Sequence, residues 1–221
     1  GDNSGRSVSL SSDGLTIAIG GTQNDGTTGT NTDNRGHVRV FKYREYTQSD
    51  SDTYYYQSQI QNSTQTKPLI ITENDTTAPV VGNSYWMQLG GDIDGEAVND
   101  YSGWSVSLSS DGSIVAIGAT KNDENGNLSG HVLVYQRDTS VTLGWSQLGS
   151  DIDGEATYDQ SGYSVSLSAD GLTVAIGAYG NDANGNFSGH VRVFKYREYT
   201  QSDSNAGTYY YQSQIQNSTQ T

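Results

Sequence analysis

Residues 161–178, Ser-Gly-Tyr-Ser-Val-Ser-Leu-Ser-Ala-Asp-Gly-Leu-Thr-Val-Ala-Ile-Gly-Ala, contain the pattern that decides the fold. The first half alternates small polar residues with apolar ones, which is typical of a β-strand with one buried face. The Asp170-Gly171 pair then predicts a tight turn, because glycine tolerates a positive φ. The second half is almost continuously apolar, as expected for a strand that is covered on both faces. Together the two halves predict a β-hairpin.

The same hairpin occurs three times along the chain. Its copies begin at Ser4, Ser102 and Ser161, and each is followed by an Asn- and Gly-rich loop and a Gly-His-Val strand. A fourth strand is predicted at 86–93 and at 145–152, where Trp-x-Gln-Leu-Gly precedes Asp-Ile. No segment of the sequence has a convincing helical period. The repeats therefore predict an all-β chain of β-propeller-like blades, each with four antiparallel strands.

Two longer identities divide the chain into units of unequal length. Residues 37–51 are repeated without change at 190–204, and residues 53–66 are repeated at 208–221. The second pair is rich in tyrosine, which suits half-exposed strands, so we expect extra Tyr-rich hairpins in the long units. The predicted units are a long blade with hairpin and linker at 1–85, a short blade at 86–157, and a second, incomplete long blade at 158–221.

The tyrosine runs of these hairpins are the predicted assembly contacts. Aromatic side chains on neighbouring strands pack against each other, and such ladders can join blades or subunits. Stacking on sugars is the alternative role of these rings. The candidate assembly residues are Tyr54, Tyr55, Tyr56, Tyr209, Tyr210 and Tyr211.

The composition narrows the class of partner. The formal net charge is −14, with 11 Lys and Arg against 25 Asp and Glu, so a nucleic-acid partner is not expected. There is no cysteine, which excludes disulfides, thiolate metal sites and thiol nucleophiles. No apolar run is long enough for a membrane span, so none is expected.

The repeat resembles the FG-GAP repeat, which forms the propeller blades of integrin alpha chains. The resemblance is carried by residues 161–178 and by Ser-Gly-His-Val-Arg-Val-Phe at 188–194. With Trp-Ser-Gln-Leu-Gly and Asp-Ile-Asp-Gly-Glu-Ala at 145–156 added, it looks closer still to repeats of large secreted proteins of aquatic bacteria and algae. The resemblance implies an extracellular or cell-surface location and a binding or structural role without catalysis.

Calcium is the one candidate cofactor, although the calcium loop typical of FG-GAP blades is missing from the expected turn. That turn holds one carboxylate in each copy, whereas calcium takes about 6–8 oxygen ligands. Oxygen side chains at alternate positions occur instead in the Asn-rich loops, where Asx turns are the alternative interpretation. The candidate metal ligands are Asp123, Asn125, Asp182 and Asn184. Acidic clusters at 92–96 and 151–155 are second candidates for calcium.

Five Asn-x-Ser/Thr sequons are candidate glycosylation sites, and N-linked glycans are therefore possible partners. The sequon residues are Asn62, Asn74, Asn127, Asn186 and Asn217. The three histidines occupy one position of the repeat, which favours a structural role over catalysis. The sequence has no nucleophile elbow, HExxH motif or phosphate-binding loop, so we do not expect an enzyme.

The number of blades suggests the function. A closed propeller takes about 4–8 blades, and three cores are visible here. Open strand edges are templates for pairing with another chain. We therefore expect an extracellular structural repeat protein of a filament, surface hair or coat, whose partners are copies of itself or further repeats of a longer chain. The alternative is a calcium-dependent adhesion module that binds carbohydrate or protein.

Overall fold

The computed structural model describes residues 1–25, 33–45, 47, 81–197 and 210–213. These residues form three antiparallel sheets and contain no helix, so the predicted all-β fold of four-stranded, propeller-like blades is confirmed. None of the described segments is a helix that is long and apolar enough to cross a membrane.

Each sheet is one blade, with its strands in chain order. The first contains β1 (Ser4–Leu10), β2 (Thr16–Gly21), β3 (His37–Glu45), β4 (Ser84–Gln88) and β5 (Ile93–Asp94). The second contains β6 (Ser102–Leu108), β7 (Ile114–Ala119), β8 (His131–Arg137), β9 (Trp145–Gln147) and β10 (Ile152–Asp153). The third contains β11 (Ser161–Leu167), β12 (Thr173–Ala178), β13 (His190–Arg197) and β14 (Tyr210–Ser213). In the first two blades the third strand pairs with both the fourth strand and the short fifth segment.

The inner strand of each blade contains a β-bulge at a glycine. The register shifts between Ser4 and Ser7 in β1, where Gly5 has a φ of +87°. The equivalent Gly103 and Gly162 have φ values of +83° and +85°, next to the same register shift. Residues with a side chain rarely adopt this φ, so the bulge requires glycine.

The Asp-Gly turn between the first two strands is closed by hydrogen bonds to the aspartate. The backbone N–H of Ser113 donates to Asp111 Oδ1 at 2.9 Å, and Ser109 Oγ donates to the same oxygen at 2.7 Å. These bonds favour the ionised carboxylate and hold the pKa of Asp111 below its usual value. The same serine–aspartate bond closes the turns of the other blades, Ser11–Asp13 and Ser168–Asp170.

The blade boundaries lie slightly later than the unit boundaries predicted from the repeats. Residues 84–88 pair with β3, so the predicted boundary after residue 85 falls inside β4. Ile93 also returns to the first blade, where it pairs with Val38 and is 2% exposed. The Trp-x-Gln-Leu-Gly segment therefore completes the blade before it, because its backbone pairs with that blade's third strand.

Two apolar cores lie between adjacent blades, and β7 contributes to both of them. Val115 and Ile117 face the core with the first blade, whereas Ile114 and Ala116 face the core with the third. This double burial explains why β7 is continuously apolar and why all six of its residues are buried. The first core also contains Ala18, Val38, Val40, Ile93, Val106, Leu108 and Trp145. The second also contains Val132, Val134, Ile152, Val174, Ile176 and Phe194.

Serines of the inner strands join neighbouring blades by hydrogen bonds. Ser7 Oγ donates to the carbonyl oxygen of Gly103 at 2.7 Å, and Ser105 Oγ donates to that of Gly162 at 2.7 Å. A second pair of bonds runs from the backbone N–H of Leu108 to Ser9 Oγ and from that of Leu167 to Ser107 Oγ. The polar face of the Ser-Val-Ser-Leu strand is thus a contact surface between blades.

The fourth strand of the third blade comes from the Tyr-rich segment. β14 pairs antiparallel with β13, with Tyr210 opposite Arg197 and Tyr211 opposite Tyr196. This arm occupies the position that β4 and β9 hold in the other two blades. The remaining candidate assembly tyrosines lie outside the described residues: Tyr54, Tyr55, Tyr56 and Tyr209.

Candidate functional site

The first blade has an open face on the side of β1. We call this surface the leading face and define it by Val8, Leu10 and Ile17. Val8 is 60% exposed and Leu10 is 58% exposed. The equivalent residues of the second blade, Val106 and Leu108, are 8% and 7% exposed because the first blade covers them.

The third blade has an open face on its opposite side. We call this surface the trailing face and define it by Gly177, Val191 and Val193. Val191 is 68% exposed and Val193 is 39% exposed. Their equivalents in the second blade, Val132 and Val134, are 0% and 2% exposed, because the third blade packs on them.

A groove of about 460 Å³ runs along the trailing face. Its wall contains an aromatic stack in which the ring centroids of Tyr163 and Tyr179 are 5.0 Å apart, and Phe187 lies beside Tyr179. Gly177 lies in its floor. At the equivalent place in the second blade, Gly118 faces the carbonyl oxygen of Gly162 from the next blade. The groove therefore corresponds to the place where, in the second blade, the first strand of the next blade packs.

The histidine of each Gly-His-Val strand lies beside acidic side chains. In the second blade, His131 Nδ1 is 3.8 Å from Glu96 Oε2. Glu124 and Asp151 lie at the same place. One carboxylate oxygen from each of the three acids and one ring nitrogen of His131 are all within 4.8 Å of one another. The histidine side chain is 1% exposed. The other two blades contain related pairs: His37 Nδ1 with Asp92 Oδ2 at 3.3 Å, and His190 Nε2 with Glu155 Oε2 at 3.4 Å.

Burial and charge crowding change the ionisation of Glu96. Desolvation is the largest cause, followed by repulsion from Asp151 and Glu124, and together they raise the pKa of Glu96 to about 7. Desolvation lowers the pKa of His131, which favours the neutral imidazole. The cluster therefore combines a neutral histidine with carboxylates that repel one another.

We expect Glu96 to contribute stability that is lost as the pH rises from about 4.5 to about 7. The folded chain binds the Glu96 proton more tightly than the unfolded chain does, so ionisation costs stability across this window. Glu96 is 43% exposed, so solvent screening limits the effect to about 1 kcal/mol or less. The measurement is the melting temperature from about pH 5 to about pH 8. The E96Q variant should show a flatter profile, and identical profiles would contradict the expectation.

The loop residues predicted as metal ligands take part in hydrogen bonds within the protein. Asp123 Oδ1 accepts a hydrogen bond from the backbone N–H of Leu128 at 2.7 Å, and Asn125 Nδ2 donates to the carbonyl oxygen of Gly154 at 2.7 Å. In the third blade, Asp182 Oδ1 likewise accepts from the backbone N–H of Phe187, and the backbone N–H of Asn184 donates to Ser188 Oγ. The Asx turns of these loops are made by the preceding residues Asn122 and Asn181, whose side-chain oxygens accept from the backbone N–H groups of Glu124 and Ala183. Calcium binding at these loops stays a prediction.

Two predicted glycosylation sites lie within the described residues. Asn127 and Asn186 are exposed at equivalent loop tips, as attachment of a glycan requires. Ser129 of the first sequon is buried, and its hydroxyl donates to the carbonyl oxygen of Asn122. The other sequon residues lie outside the described residues: Asn62, Asn74 and Asn217.

The contact between the histidines and the acidic clusters was not predicted from the sequence. The pairing of β8 with β10 places His131 opposite Asp153, and the end of the first blade brings Glu96 to the same place. The available signal was that the Gly-His-Val and Asp-Ile-Asp-Gly-Glu motifs recur together in successive units.

Comparison with known proteins identifies the repeat. The family model of the FG-GAP repeat matches residues 93–135 and 151–194. The chain carries FG-GAP-like repeats. Each match begins in the short segment that closes one blade and ends in the third strand of the next. FG-GAP repeats are typical of extracellular proteins. No curated protein sequence matches the chain.

Two solved structures show a loose similarity to these FG-GAP-like repeats. A periplasmic gluconolactonase of Pseudomonas aeruginosa is 14% identical, with a TM-score of 0.35 over 87% of this chain and 39% of the enzyme chain. A hydrazine synthase of Kuenenia stuttgartiensis is 13% identical, with a TM-score of 0.34 over 85% of this chain. The chain spans 39% of the length of each of these proteins.

Proposed function

We propose that this chain is a non-enzymatic structural module of the extracellular surface. Its FG-GAP-like blades associate head to tail with those of a second copy and so build a filament, surface hair or coat. The supporting observation is that the trailing and leading faces are the two halves of a junction that the chain already makes twice internally.

The apolar residues of the two faces match each other. In the internal junction between the second and third blades, Val132 and Val134 belong to a core against which Val165 and Leu167 pack. A second copy seated on the trailing face supplies Val8 and Leu10 at the positions of that valine and leucine. The burial removes side chains from water that are 39–68% exposed in the single chain, and burial of apolar surface favours association.

The polar contacts of the junction are also available on both faces. Ser164 is the equivalent of Ser105, which donates a hydrogen bond to the next blade's bulge glycine; the bulge glycine of a second copy is Gly5. The Arg6 guanidinium lies 4.0 Å from the ring centroid of Trp104 within the chain. In the proposed contact, Arg6 of the second copy meets Tyr163 in the same way, as a cation–π pair.

A contact between two unlike faces leads to extended assembly. Such a head-to-tail interface forms a ring if its rotation closes and an open helix if it does not. The absence of a catalytic motif from the sequence supports a structural rather than an enzymatic role. The negative charge of the chain supports a partner that is neither nucleic acid nor an anionic membrane.

Charge placed on either face should prevent association. Val8→Asp or Val191→Asp buries a carboxylate in an apolar contact, so we expect association to weaken by about 100-fold or more while each single chain remains folded. The measurements are sedimentation velocity and electron microscopy. Val141→Asp is the control, because Val141 is 39% exposed in a loop outside both faces.

Mixing the two variants tests the polarity of the contact. The V8D chain keeps its trailing face and the V191D chain keeps its leading face, so an equimolar mixture should form a one-to-one dimer and nothing larger. An unmutated chain that stays monomeric at high concentration would contradict the proposal. A monomer whose melting temperature rises with calcium would favour the adhesion module instead.

A further inference from the structure

The second blade contains a buried histidine with one ring nitrogen that lacks a hydrogen-bond partner. The side chain of His131 is 1% exposed, and its Nδ1 atom makes no hydrogen bond. Polar atoms that are removed from water are nearly always bonded, because leaving one unsatisfied costs free energy. Both ring nitrogens of His37 and Nε2 of His190 also lack a partner. The groups around each histidine therefore decide where a ligand completes the site.

Three carboxylates converge on the same place from different parts of the chain. Glu96 follows β5 of the first blade, Glu124 lies in the loop between β7 and β8, and Asp151 precedes β10. One ligand atom from each of these residues and one from His131 lie within 4.8 Å of one another. The three acids line a cavity of about 400 Å³ that a small ion can enter.

The protein supplies little positive charge to this cluster. Among the described residues, no lysine or arginine forms an ion pair with Glu96, Glu124 or Asp151. The strand residue after His131-Val132 is Leu133, whereas the first and third blades have arginine at that position. In the third blade, Arg192 Nη1 lies 3.8 Å from Glu155 Oε1. Its positive charge offsets the charge of Glu155, which is the equivalent of Glu96.

We propose that Glu96, Glu124, His131 and Asp151 form a binding site for a divalent first-row transition-metal ion, with Zn²⁺ as the preferred ion. One imidazole and three carboxylates supply four donors, the usual coordination number of zinc. Imidazole suits zinc and its neighbours, whereas calcium selects oxygen ligands alone.

The four atoms need only a small contraction to bind one ion. Donors in a tetrahedral zinc site are roughly 3.4 Å apart, as follows from metal–ligand distances of about 2.0–2.2 Å. Glu96 and Glu124 are exposed side chains that can rotate, while His131 is held by the strand on which it lies. The histidine therefore sets the position of the ion, and the two exposed glutamates rotate to bind it.

The site is complete only in the second blade of the described chain. Ala183 stands in the third blade where Glu124 stands in the second. His37 has Asp92 and Asp94 beside it, but it lies in the first blade, where no described blade precedes it to supply the equivalent of Glu96. The expected stoichiometry is therefore one ion per chain. This proposal does not depend on the proposed assembly, because all four residues belong to one chain.

Isothermal titration of the chelator-treated full chain with ZnCl₂ tests the site. We expect one ion to bind per chain, with MnCl₂ binding more weakly and CaCl₂ not competing at equal concentration. At a free Zn²⁺ concentration of about 100 times the dissociation constant, the melting temperature should rise by roughly 5–10 °C. The V8D chain has the same four residues and should bind equally well, whether or not the chains assemble.

Exposed-ligand variants identify the residues without disturbing the core. E124Q and E96Q should each weaken Zn²⁺ binding at least about tenfold, since each removes a charged ligand. E155Q changes the equivalent acid beside His190, so it is the matched control and should bind like the unmutated chain. If all three variants bind equally, the assignment of the site is overturned.

Nitrogen NMR shifts of the histidine ring provide a readout independent of affinity. Zn²⁺ should shift the Nδ1 resonance of His131 and leave those of His37 and His190 unchanged. The H37Q and H190Q variants assign the three signals. Absence of Zn²⁺ binding, calcium binding of equal strength, or an unshifted His131 resonance would each overturn the proposal, and the last two would show a site made of oxygen ligands alone.

Discussion

Replacing Gly118 with alanine is expected to destabilise the folded chain by about 3 kcal/mol. A β-carbon at this position would overlap the backbone carbonyl oxygen of Gly162 in the next blade. That oxygen cannot move independently, because it accepts the hydrogen bond from Ser105 Oγ at 2.7 Å. The two blades would have to separate, and the apolar core between them would loosen.

Gly177→Ala is the matched control for Gly118→Ala. It is the same position in the third blade, but the nearest atom to a new β-carbon is the hydroxyl oxygen of Ser164, an exposed side chain that can rotate away. We expect the stability of the single chain to change by less than about 1 kcal/mol. If the proposed assembly is correct, the same methyl group meets Gly5 of a second copy and prevents association.

Urea denaturation of both glycine variants measures these effects. The midpoint should fall strongly for G118A and stay close to that of the unmutated chain for G177A, with similar slopes. Equal midpoints for the two variants would contradict the close approach of the blades at Gly118. A G177A chain that still assembles would contradict the proposed trailing-face contact while leaving the internal junction unaffected.

Removal of the Trp145 side chain is expected to cost about 3–5 kcal/mol. Trp145 is 2% exposed and packs in the core between the first two blades. Its indole Nε1 donates to the carbonyl oxygen of Leu89 at 2.6 Å, so Trp145→Ala also leaves a carbonyl group without its partner. The blades are thus joined by this one ring through both apolar contact and a hydrogen bond.

Trp86→Ala tests whether the cost comes from the position between blades. Trp86 is the equivalent residue of the first blade, where it is half-buried and contacts Tyr43 with ring centroids 5.6 Å apart. Its removal should cost about 1–2 kcal/mol. The free energies of unfolding from urea titrations provide the comparison. Equal losses for the two tryptophans would contradict the interpretation.

The sequence was sufficient to predict the strands and turns of each blade. The alternation in Ser-Val-Ser-Leu, the Asp-Gly turns and the continuous apolar run at 114–119 are local signals, and each corresponds to the described strand or turn. Local patterning therefore determined the fold of the blade.

The composition of the candidate site could not be predicted in the same way. His131, Glu96 and Asp151 are distant in sequence, and they meet only because β8 pairs with β10 and the first blade's end lies against the second. The exposure of Val191 is likewise invisible locally, since Val132 in the same motif is fully buried. These properties depend on which blade is adjacent rather than on the strand itself.

The sequence His-Val-Arg-Val-Phe-Lys-Tyr-Arg occurs at 37–44 and again at 190–197. Val38 in the first copy is 0% exposed, whereas Val191 in the second is 68% exposed. One peptide thus serves as core or as surface without any change of residue. Unequal recombination between the coding segments of these copies would lengthen or shorten the array by whole blades. Each added blade would form the same junction that already joins the existing blades.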